Sequence, residues 1–308
     1  MVDPSRGSGA EYAAGFACLV GRPNAGKSTL TNALVGHKVA ITSSKPQTTR
    51  HTIRGIVTTP ASQLILVDTP GLHRPRTLLG ERLNDLVRET LLEVDVIGFC
   101  LPADQRVGPG DAFIAAELTE VMRARRTPVV AIATKSDRVD RVRLAEHLIA
   151  IDQLGAWSDI IPCSATRGDQ VDEVATVLAG HLPSAPGPLY PAGVLTDEPD
   201  EVMIAELVRE AALEGVRDEL PHSLAVVVEE IMPRQESHLL DVRVNVFVER
   251  DSQKAIIIGR GGSRLREVGS NARAGIEELL GRRVHLDLHV KVAKDWQRDP
   301  KQLGRLGF

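Results

Sequence analysis

The chain has 308 residues, of which 43% are hydrophobic and 25% charged, and its formal net charge is −4. These values are ordinary for a globular protein of two domains, while the absence of a long apolar run excludes a membrane span and the spacing of the three cysteines excludes a disulfide framework. Residues 1–14 lack the apolar core of a signal peptide, so we expect a disordered N-terminal tail there.

A glycine-rich stretch over residues 21–28 reads G-R-P-N-A-G-K-S and matches the phosphate-binding P-loop pattern. An apolar run typical of a buried strand precedes it, and residues with helical spacing follow it. In that context the loop N–H groups and the helix N-terminus face an anion. Lys27 would contact the β- and γ-phosphates, and the Ser28 hydroxyl would bind Mg²⁺. The residues predicted to hold the nucleotide in this loop are Gly21, Asn24, Ala25, Gly26, Lys27, Ser28 and Thr29.

Two further segments of the first domain carry residues suited to magnesium and γ-phosphate binding. In the polar loop over residues 39–50 we assign this role to Thr49, with Thr48 as the alternative. A surface loop without a binding role would have a similar composition. An apolar strand then runs into D-T-P-G, where Asp68 would hold Mg²⁺ through water. The Gly71 N–H would bind the γ-phosphate and release it after hydrolysis. The predicted catalytic residues are therefore Lys27, Thr49 and Gly71.

Further apolar strands over residues 94–100, 129–133 and 160–163 alternate with helical segments. This order predicts a doubly wound, mostly parallel α/β sheet that binds ligands at the carboxyl ends of its strands. After one strand comes T-K-S-D, where Asp137 can accept hydrogen bonds from guanine N1–H and the 2-amino group, which adenine lacks. Thr134 and Lys135 complete that loop, with the lysine stem along the base, and the backbone of Ser164 and Ala165 would contact the guanine O6. The sequence therefore predicts GTP or GDP as the nucleotide.

The motifs G-x-x-x-x-G-K-S, Q-T-T-R, D-T-P-G, T-K-S-D and S-A-T occur in this order. Together they resemble the Era-like subfamily of the translational-factor-related P-loop GTPases. This resemblance extends over nearly all of the chain after Gly15. It is based on the segments G-R-P-N-A-G-K-S-T-L, Q-T-T-R-H and V-D-T-P-G-L-H. The resemblance implies slow hydrolysis of GTP to GDP and phosphate. Asn24 resembles the K⁺ ligand of related potassium-activated GTPases, which makes K⁺ binding a hypothesis for this chain.

Two positions depart from what P-loop GTPases usually carry. Thr134 stands where the N-K-x-D motif has asparagine, and threonine offers one hydroxyl but no amide. We predict weaker nucleotide binding with guanine specificity kept, because Asp137 remains. Leu72 stands where Ras-like enzymes have a glutamine that orients the attacking water. Era-like proteins share such an apolar residue, so hydrolysis must depend on Mg²⁺, Lys27, Thr49 and backbone N–H groups.

Residues 183–199 are rich in proline, which predicts an extended linker between a P-loop GTPase domain over 15–182 and a second domain over 200–308. The second domain begins with an amphipathic helical pattern and continues with two strands of alternating polarity. A helix, the loop G-R-G-G over residues 259–262, another helix and a last strand follow. This order resembles a KH domain of the prokaryotic, type II arrangement, which is a small α+β fold.

The G-x-x-G loop of a KH domain clamps the backbone of single-stranded nucleic acid. From residue 234 onwards the chain carries 15 Lys and Arg against 10 Asp and Glu, which favours a polyanion partner. Trp296 would either stack on a base or form a packed hydrophobic cap. The residues predicted to contact RNA are Lys254, Gly259, Arg260, Gly261, Gly262, Arg264 and Arg266.

The resemblance implies a GTPase that binds the 3′ end of small-subunit ribosomal RNA and acts in small-subunit assembly, with GTP, GDP and Mg²⁺ as cofactors. It further implies a monomer in the cytoplasm with peripheral contact to the inner face of the cell membrane. A nucleotide-gated RNA-binding protein with negligible hydrolysis is the alternative. A membrane-associated signalling GTPase is a third interpretation, although no anchor motif is visible.

Overall fold

The computed structural model describes residues 11–42, 49–50, 52–72, 75, 77–214, 220, 223–234 and 238–308. Residue 48, the alternative to Thr49, and residues 1–10 of the predicted tail lie outside this part. Residues 13 and 14, also predicted as tail, instead open the first strand, because the Ala13 and Ala14 N–H groups donate to the carbonyls of Ala61 and Pro183 at 3.1 Å each. Within the described ranges no helix has the length and apolarity needed to cross a membrane.

A six-stranded sheet forms the first domain, in the order β2-β3-β1-β4-β5-β6, with β2 antiparallel and the other strands parallel. Its strands are β1 (Ala13–Val20), β2 (Ile53–Thr58), β3 (Ser62–Asp68), β4 (Val96–Pro102), β5 (Val129–Thr134) and β6 (Asp159–Pro162). Its helices are α1 (Lys27–Val35), α2 (Leu78–Glu93), α3 (Pro109–Arg125), α4 (Arg141–Asp152) and α5 (Val171–Gly180). The predicted doubly wound sheet is confirmed.

Both faces of this sheet are covered, which explains why its central strands are almost continuously apolar. Leu30 of α1 and Val174 of α5 pack on one face, whereas Val87 of α2, Ile114 of α3 and Ile151 of α4 pack on the other. The carboxyl ends of the parallel strands lie at the same edge of the sheet. The loops that follow β1, β3, β5 and β6 meet at this edge, and they carry the P-loop, D-T-P-G, T-K-S-D and S-A-T motifs.

The second domain has a three-stranded sheet in the order β7-β8-β9, with β7 antiparallel and β9 parallel to β8. Its strands are β7 (Ala225–Pro233), β8 (Leu240–Val248) and β9 (Val284–Val292). Its helices are α6 (Asp200–Leu213), α7 (Asp251–Ile258), α8 (Ser263–Leu280) and α9 (Pro300–Arg305). Up to β9 the element order is α-β-β-α-α-β, which confirms the predicted type II KH arrangement.

The proline-rich segment over residues 183–199 does not span freely between the domains, as an extended tether would. The Tyr190 N–H donates to the Gln63 side chain at 2.8 Å, and the Ile56 N–H of β2 donates to the Leu195 carbonyl at 2.9 Å. Arg54 also forms a 2.9 Å ion pair with Asp197. One backbone hydrogen bond to the outer edge of β2 and two side-chain contacts therefore attach the segment to the first domain.

Candidate functional site

The loop between β1 and α1 forms a cleft at the carboxyl edge of the sheet. Gly26 and Asn24 have left-handed backbones, with φ of 90° and 62°, and these turns aim the N-terminus of α1 at the cleft. The cleft is lined by Pro23, Asn24, Ala25, Gly26, Lys27, Ser28, Thr29, Thr42, Thr49 and Gly71. The structure thus brings together predicted residues from three separate motifs, and it adds Thr42, which sequence reasoning missed.

Lys27 is the buried cation of this cleft. Its Nζ donates to the backbone carbonyls of Gly21 and Arg22, each at 3.2 Å. Burial lowers the pKa of Lys27, and the nearby carboxylate of Asp68 opposes that shift. Both hydrogen bonds that Lys27 makes to described residues go to neutral carbonyls, and a buried ammonium group gains strongly from an anionic hydrogen-bond partner. The geometry therefore favours a phosphate group beside Lys27.

Three oxygen-bearing side chains from different motifs converge next to Lys27. The hydroxyls of Ser28 and Thr49 lie 3.0 Å apart, and Thr49 donates to Asp68 Oδ2 at 3.1 Å. Asp68 is fully buried, its burial raises its pKa, and its Oδ1 has no hydrogen-bond partner among the described residues. An orphaned, buried carboxylate oxygen beside two hydroxyls is the hard oxygen set that Mg²⁺ prefers. These residues fit the predicted magnesium site.

The D-T-P-G segment lies directly against the P-loop. A side chain on Gly71 would place its Cβ 2.7 Å from the Pro23 nitrogen, so only glycine permits this approach. The Leu72 N–H donates to the Gly21 carbonyl at 3.3 Å. The Leu72 side chain, however, is 2% exposed and packs with Val20 and Val87 in the core. A side chain at that position therefore points away from the cleft in this structure.

The loops that follow β5 and β6 meet at the predicted base site. The Ser164 hydroxyl donates to Asp137 Oδ1 at 2.6 Å, and a carboxylate can accept further hydrogen bonds from a ligand. Lys135 has a left-handed backbone, with φ of 57°, and its Nζ lies 3.6 Å from Asp104. Thr134 is 5% exposed, and its hydroxyl donates to the Ala25 carbonyl at 2.6 Å. The threonine thus joins the base loop to the P-loop.

Two ion pairs involve residues adjacent to the cleft lining, and no local sequence pattern predicted them. Arg22, inside the P-loop, pairs with the buried carboxylate of Asp111 at the start of α3, at 2.7 Å. Glu210, on α6 of the second domain, accepts hydrogen bonds from Thr42 N–H at 2.9 Å and from Lys38 at 2.5 Å. The partners of these pairs lie 89 and 172 residues apart in the chain, so no motif or local spacing could indicate them.

The G-R-G-G loop joins α7 to α8 at the surface of the second domain. Gly259, Gly261 and Gly262 have positive φ angles of 72°, 59° and 77°. Arg260 and the apolar Ile256 beside the loop are both exposed. Glycines have no side chain that would keep a phosphate from the backbone. Together with an exposed arginine and an exposed apolar side chain, they form a surface suited to phosphates and bases.

The other predicted RNA contacts differ in how available they are. Arg266 is exposed and Lys254 is half-buried. Arg264 is engaged elsewhere: its guanidinium donates to the Ala212 carbonyl at 3.2 Å and to the Glu214 carbonyl, and so it caps the end of α6. A phosphate contact from Arg264 would require these bonds to break, so the structure does not support this one assignment.

Trp296 is fully buried, which decides between the two interpretations of this residue. Its indole N–H donates to the Ser223 carbonyl at 3.0 Å, and its ring stacks on Phe308 with centroids 5.5 Å apart. It packs with Leu79 and Leu83 of α2 in a cluster that joins the two domains. Trp296 is therefore a packed cap, and it offers no ring face to a base.

Comparison with known proteins matches each of the two domains to a protein family. Residues 16–135 match the family described as 50S ribosome-binding GTPase, and residues 219–297 match the KH domain family. The chain is 67% identical over 306 residues to the GTPase Era of Streptomyces coelicolor, covering 96% of this chain and 95% of the relative. It is 63% identical over 301 residues to the GTPase Era of Mycolicibacterium smegmatis, covering 97% and 99%.

Two solved structures share the complete architecture. One is Era in complex with MgGDPNP and nucleotides 1506–1542 of 16S ribosomal RNA, which is 35% identical with a TM-score of 0.91 and covers 96% of this chain and 99% of that one. The other is a variant of Aquifex aeolicus Era bound to GDP and AlF4⁻, also 35% identical, with a TM-score of 0.90 and the same coverage. The arrangement of both domains is thus shared with experimentally determined structures.

Proposed function

This chain belongs to the Era family of GTPases, and we propose that GTP binding and hydrolysis at its P-loop control its binding to the 3′ end of small-subunit ribosomal RNA during assembly of that subunit. The observation that carries this proposal is the convergence of Ser28, Thr49 and Asp68 beside Lys27, in the same chain as an exposed G-x-x-G loop. The first feature suits a nucleotide with its metal, and the second suits single-stranded RNA.

Each residue of the cleft has a definable task in hydrolysis. Mg²⁺, when bound by the three oxygens, neutralises charge on the β- and γ-phosphates. Lys27 exchanges its backbone carbonyls for phosphate oxygens and stabilises the charge that develops between them. Gly71 brings its N–H to the γ-phosphate because no Cβ separates it from Pro23. The buried Leu72 gives no help in orienting water, which supports a slow intrinsic rate.

RNA binding rests on the second domain. An Era structure with a TM-score of 0.91 to this chain contains nucleotides 1506–1542 of 16S ribosomal RNA. In this chain the positive φ angles of Gly261 and Gly262 let phosphates approach the backbone, and a Cβ on either glycine would meet no atom within 4 Å. Arg260 supplies a positive charge at the same place. These features support the 3′ end of the ribosomal RNA as the ligand.

The decisive experiment measures phosphate release under single-turnover conditions, with and without an oligonucleotide of the ribosomal RNA 3′ end. Lys27→Ala should abolish release. Gly261→Asp should keep basal release but lose RNA binding, because aspartate tolerates a left-handed backbone and adds a negative charge beside the phosphates. Equal RNA binding by wild type and Gly261→Asp would contradict the RNA half of the proposal.

A nucleotide-gated RNA-binding protein without appreciable hydrolysis is the second candidate, and the inward-facing Leu72 favours it. The same measurement separates the two functions. Nucleotide binding with phosphate release no faster than that of Lys27→Ala, with RNA present or absent, would favour the second candidate.

A monomer in the cytoplasm with peripheral membrane contact is a further part of the proposal. Helix α4 supports the contact, because Val142 and Ile149, seven residues apart on one helix face, are 69% and 59% exposed beside Arg141 and Arg143. Flotation with anionic vesicles should decrease at high salt and in a Val142→Ser, Ile149→Ser double variant. Flotation that is unaffected by both changes would exclude this surface, and sedimentation would give the oligomeric state.

A further inference from the structure

Arg50 joins the nucleotide cleft to the second domain. It follows Thr49 in the chain, and it is 1% exposed. Its guanidinium lies 5.7 Å from the Trp296 ring centroid and 5.9 Å from that of Phe308, and its Nη1 donates to the Leu224 carbonyl at 2.5 Å. Trp296, Phe308 and Leu224 all belong to the second domain. An arginine of the nucleotide loop is thus enclosed by the neighbouring domain.

This enclosure exists only while the two domains are docked. A buried guanidinium needs aromatic faces or hydrogen-bond acceptors to offset its lost hydration, and here residues 174 to 258 positions away supply them. Burial lowers the pKa of Arg50 to about 9, so the side chain keeps its charge at neutral pH. Separation of the domains would remove the Leu224 hydrogen bond and both ring contacts of Arg50, the residue next to Thr49.

The second domain also holds the start of the same loop. Glu210 on α6 accepts hydrogen bonds from the Thr42 N–H at 2.9 Å and the Thr42 hydroxyl at 3.3 Å, and it pairs with Lys38 at 2.5 Å. Thr42 and Arg50, which flank residues 43–49 in the sequence, therefore both contact the second domain.

Helix α2, which follows D-T-P-G, contacts the same part of the second domain. Arg82 donates to the Phe308 carbonyl at 2.6 Å, and Leu79 and Leu83 pack against Trp296 and its neighbours. Arg50, next to Thr49, and α2, which follows the D-T-P-G segment, therefore contact the same group of residues around Trp296. Movement of Arg50 or of α2 would therefore change the surroundings of the Trp296 and Phe308 rings.

We propose that Arg50 is a positioning residue: the docked second domain holds Arg50, and Arg50 holds the Thr49 hydroxyl within reach of Ser28 and Asp68, so that domain docking sets the Mg²⁺ requirement of hydrolysis. This inference rests on the proposed function, since it assigns a regulator to the same cleft. By linkage, a nucleotide that binds Thr49 through Mg²⁺ must in turn favour docking.

The chain contains two tryptophans, and this permits a direct optical test. Trp157 lies in the first domain, where it contacts Phe99 and donates to the Ile151 carbonyl. A Trp157→Phe background that hydrolyses GTP normally leaves Trp296 as the sole indole. In this background, Trp296 emission should differ between Mg²⁺–GDP and Mg²⁺ with a non-hydrolysable GTP analogue. The difference should vanish in Arg50→Met and persist in the matched control Arg54→Met, which changes an arginine paired with Asp197 at the surface.

Kinetics then separate positioning from general damage. Arg50→Met should raise the Mg²⁺ concentration for half-maximal hydrolysis about 5- to 150-fold, the usual range of coupling between sites. Saturating Mg²⁺ should restore kcat, because the cleft residues themselves are intact. Arg50→Lys should be intermediate, since lysine keeps the charge but loses the planar stacking group. If Arg50→Met does not fold, Phe308→Leu must raise the same Mg²⁺ requirement with Arg50 in place.

An unchanged Mg²⁺ requirement together with an unchanged Trp296 response in Arg50→Met would overturn the inference. So would a Trp296 response in wild type that does not distinguish the two nucleotides. In both cases GTP hydrolysis and RNA binding by the wild type would leave the proposed function intact. Absence of nucleotide binding by wild type would instead overturn the proposed function itself.

Discussion

The Thr134 hydroxyl donates a 2.6 Å hydrogen bond to the Ala25 carbonyl, and it thereby joins the base-recognition loop to the P-loop. A threonine at this position keeps the connection between the loops but has no amide to extend toward the base. Removing the hydroxyl in Thr134→Val would leave a buried carbonyl without its donor, at a cost of about 1 kcal/mol or more. Titration with GDP should show affinity reduced about fivefold or more.

Thr134→Asn makes the opposite change at the same position. We expect tighter GDP binding, because asparagine can reach both the P-loop and the base. Guanine over adenine selectivity should be equal in wild type, Thr134→Val and Thr134→Asn, since Asp137 is unchanged. A Thr134→Asn protein with no gain in affinity would contradict the prediction that threonine weakens binding.

Leu72→Gln should not create a faster GTPase. The Leu72 side chain is buried among core residues, so a glutamine there would place an amide in apolar surroundings at a cost of about 1–3 kcal/mol. Denaturant unfolding should show that loss of stability, while single-turnover phosphate release should stay at or below the wild-type rate. Leu72→Met, which conserves volume, should be nearly neutral in both assays. A rate increase in Leu72→Gln would show that the side chain can reach the cleft.

The K⁺ hypothesis for Asn24 can be tested with little disturbance of the loop. Asn24 has a left-handed backbone, so Asn24→Gly removes the side chain without the strain that alanine would add. We expect wild type to hydrolyse GTP faster in K⁺ than in Na⁺ buffer, and Asn24→Gly to be equally slow in both. Equal wild-type rates in the two salts would refute the hypothesis.

The three cysteines should make the protein sensitive to alkaline pH. Burial raises the pKa of Cys18 and Cys100 to about 12 and that of Cys163 to about 11, against an ordinary value of 9.0. A thiol whose pKa is higher in the folded than in the unfolded state contributes stability that is fully present below pH 9. The free energy of unfolding should therefore fall as pH rises above 9, by about 1.4 kcal/mol per pH unit for each thiol, until the folded-state pKa of that thiol is reached.

A Cys18→Ala variant checks this assignment, because its stability should fall less steeply above pH 9 than that of wild type. In addition, a thiol reagent at pH 8 should label no cysteine of the native protein and all three after denaturation. Labelling of the native protein would mean that these sites open readily.

Arg260 and Arg264 should separate RNA binding from stability. Arg260 is exposed in the G-R-G-G loop, so Arg260→Met should leave unfolding unchanged and reduce the salt dependence of RNA binding by about 0.7 in log–log slope. Arg264 caps α6, so Arg264→Met should lower the free energy of unfolding by about 1.5–3 kcal/mol. Equal effects of the two variants on RNA affinity and on stability would contradict this division.

Local patterns in the amino-acid sequence predicted the fold class, the two-domain organisation and the type of nucleotide, because each depends on contiguous residues. The P-loop needs glycines and a lysine at fixed spacing, and the T-K-S-D loop needs Asp137 directly after a buried strand. The order of strands and helices then places these loops at one edge of a parallel sheet. The G-R-G-G loop between two helical patterns identified the KH fold in the same way.

Features that depend on residues far apart in the chain became visible only in the three-dimensional packing. Arg50 and Leu224 are separated by 174 positions, and no local pattern could indicate that the nucleotide loop is enclosed by the second domain. The inward direction of Leu72, the burial of Trp296 and the use of Arg264 as a cap follow from packing against distant elements. Local spacing determines which chemical groups a loop presents, whereas packing within each domain and between the two domains determines which of those groups are available for binding.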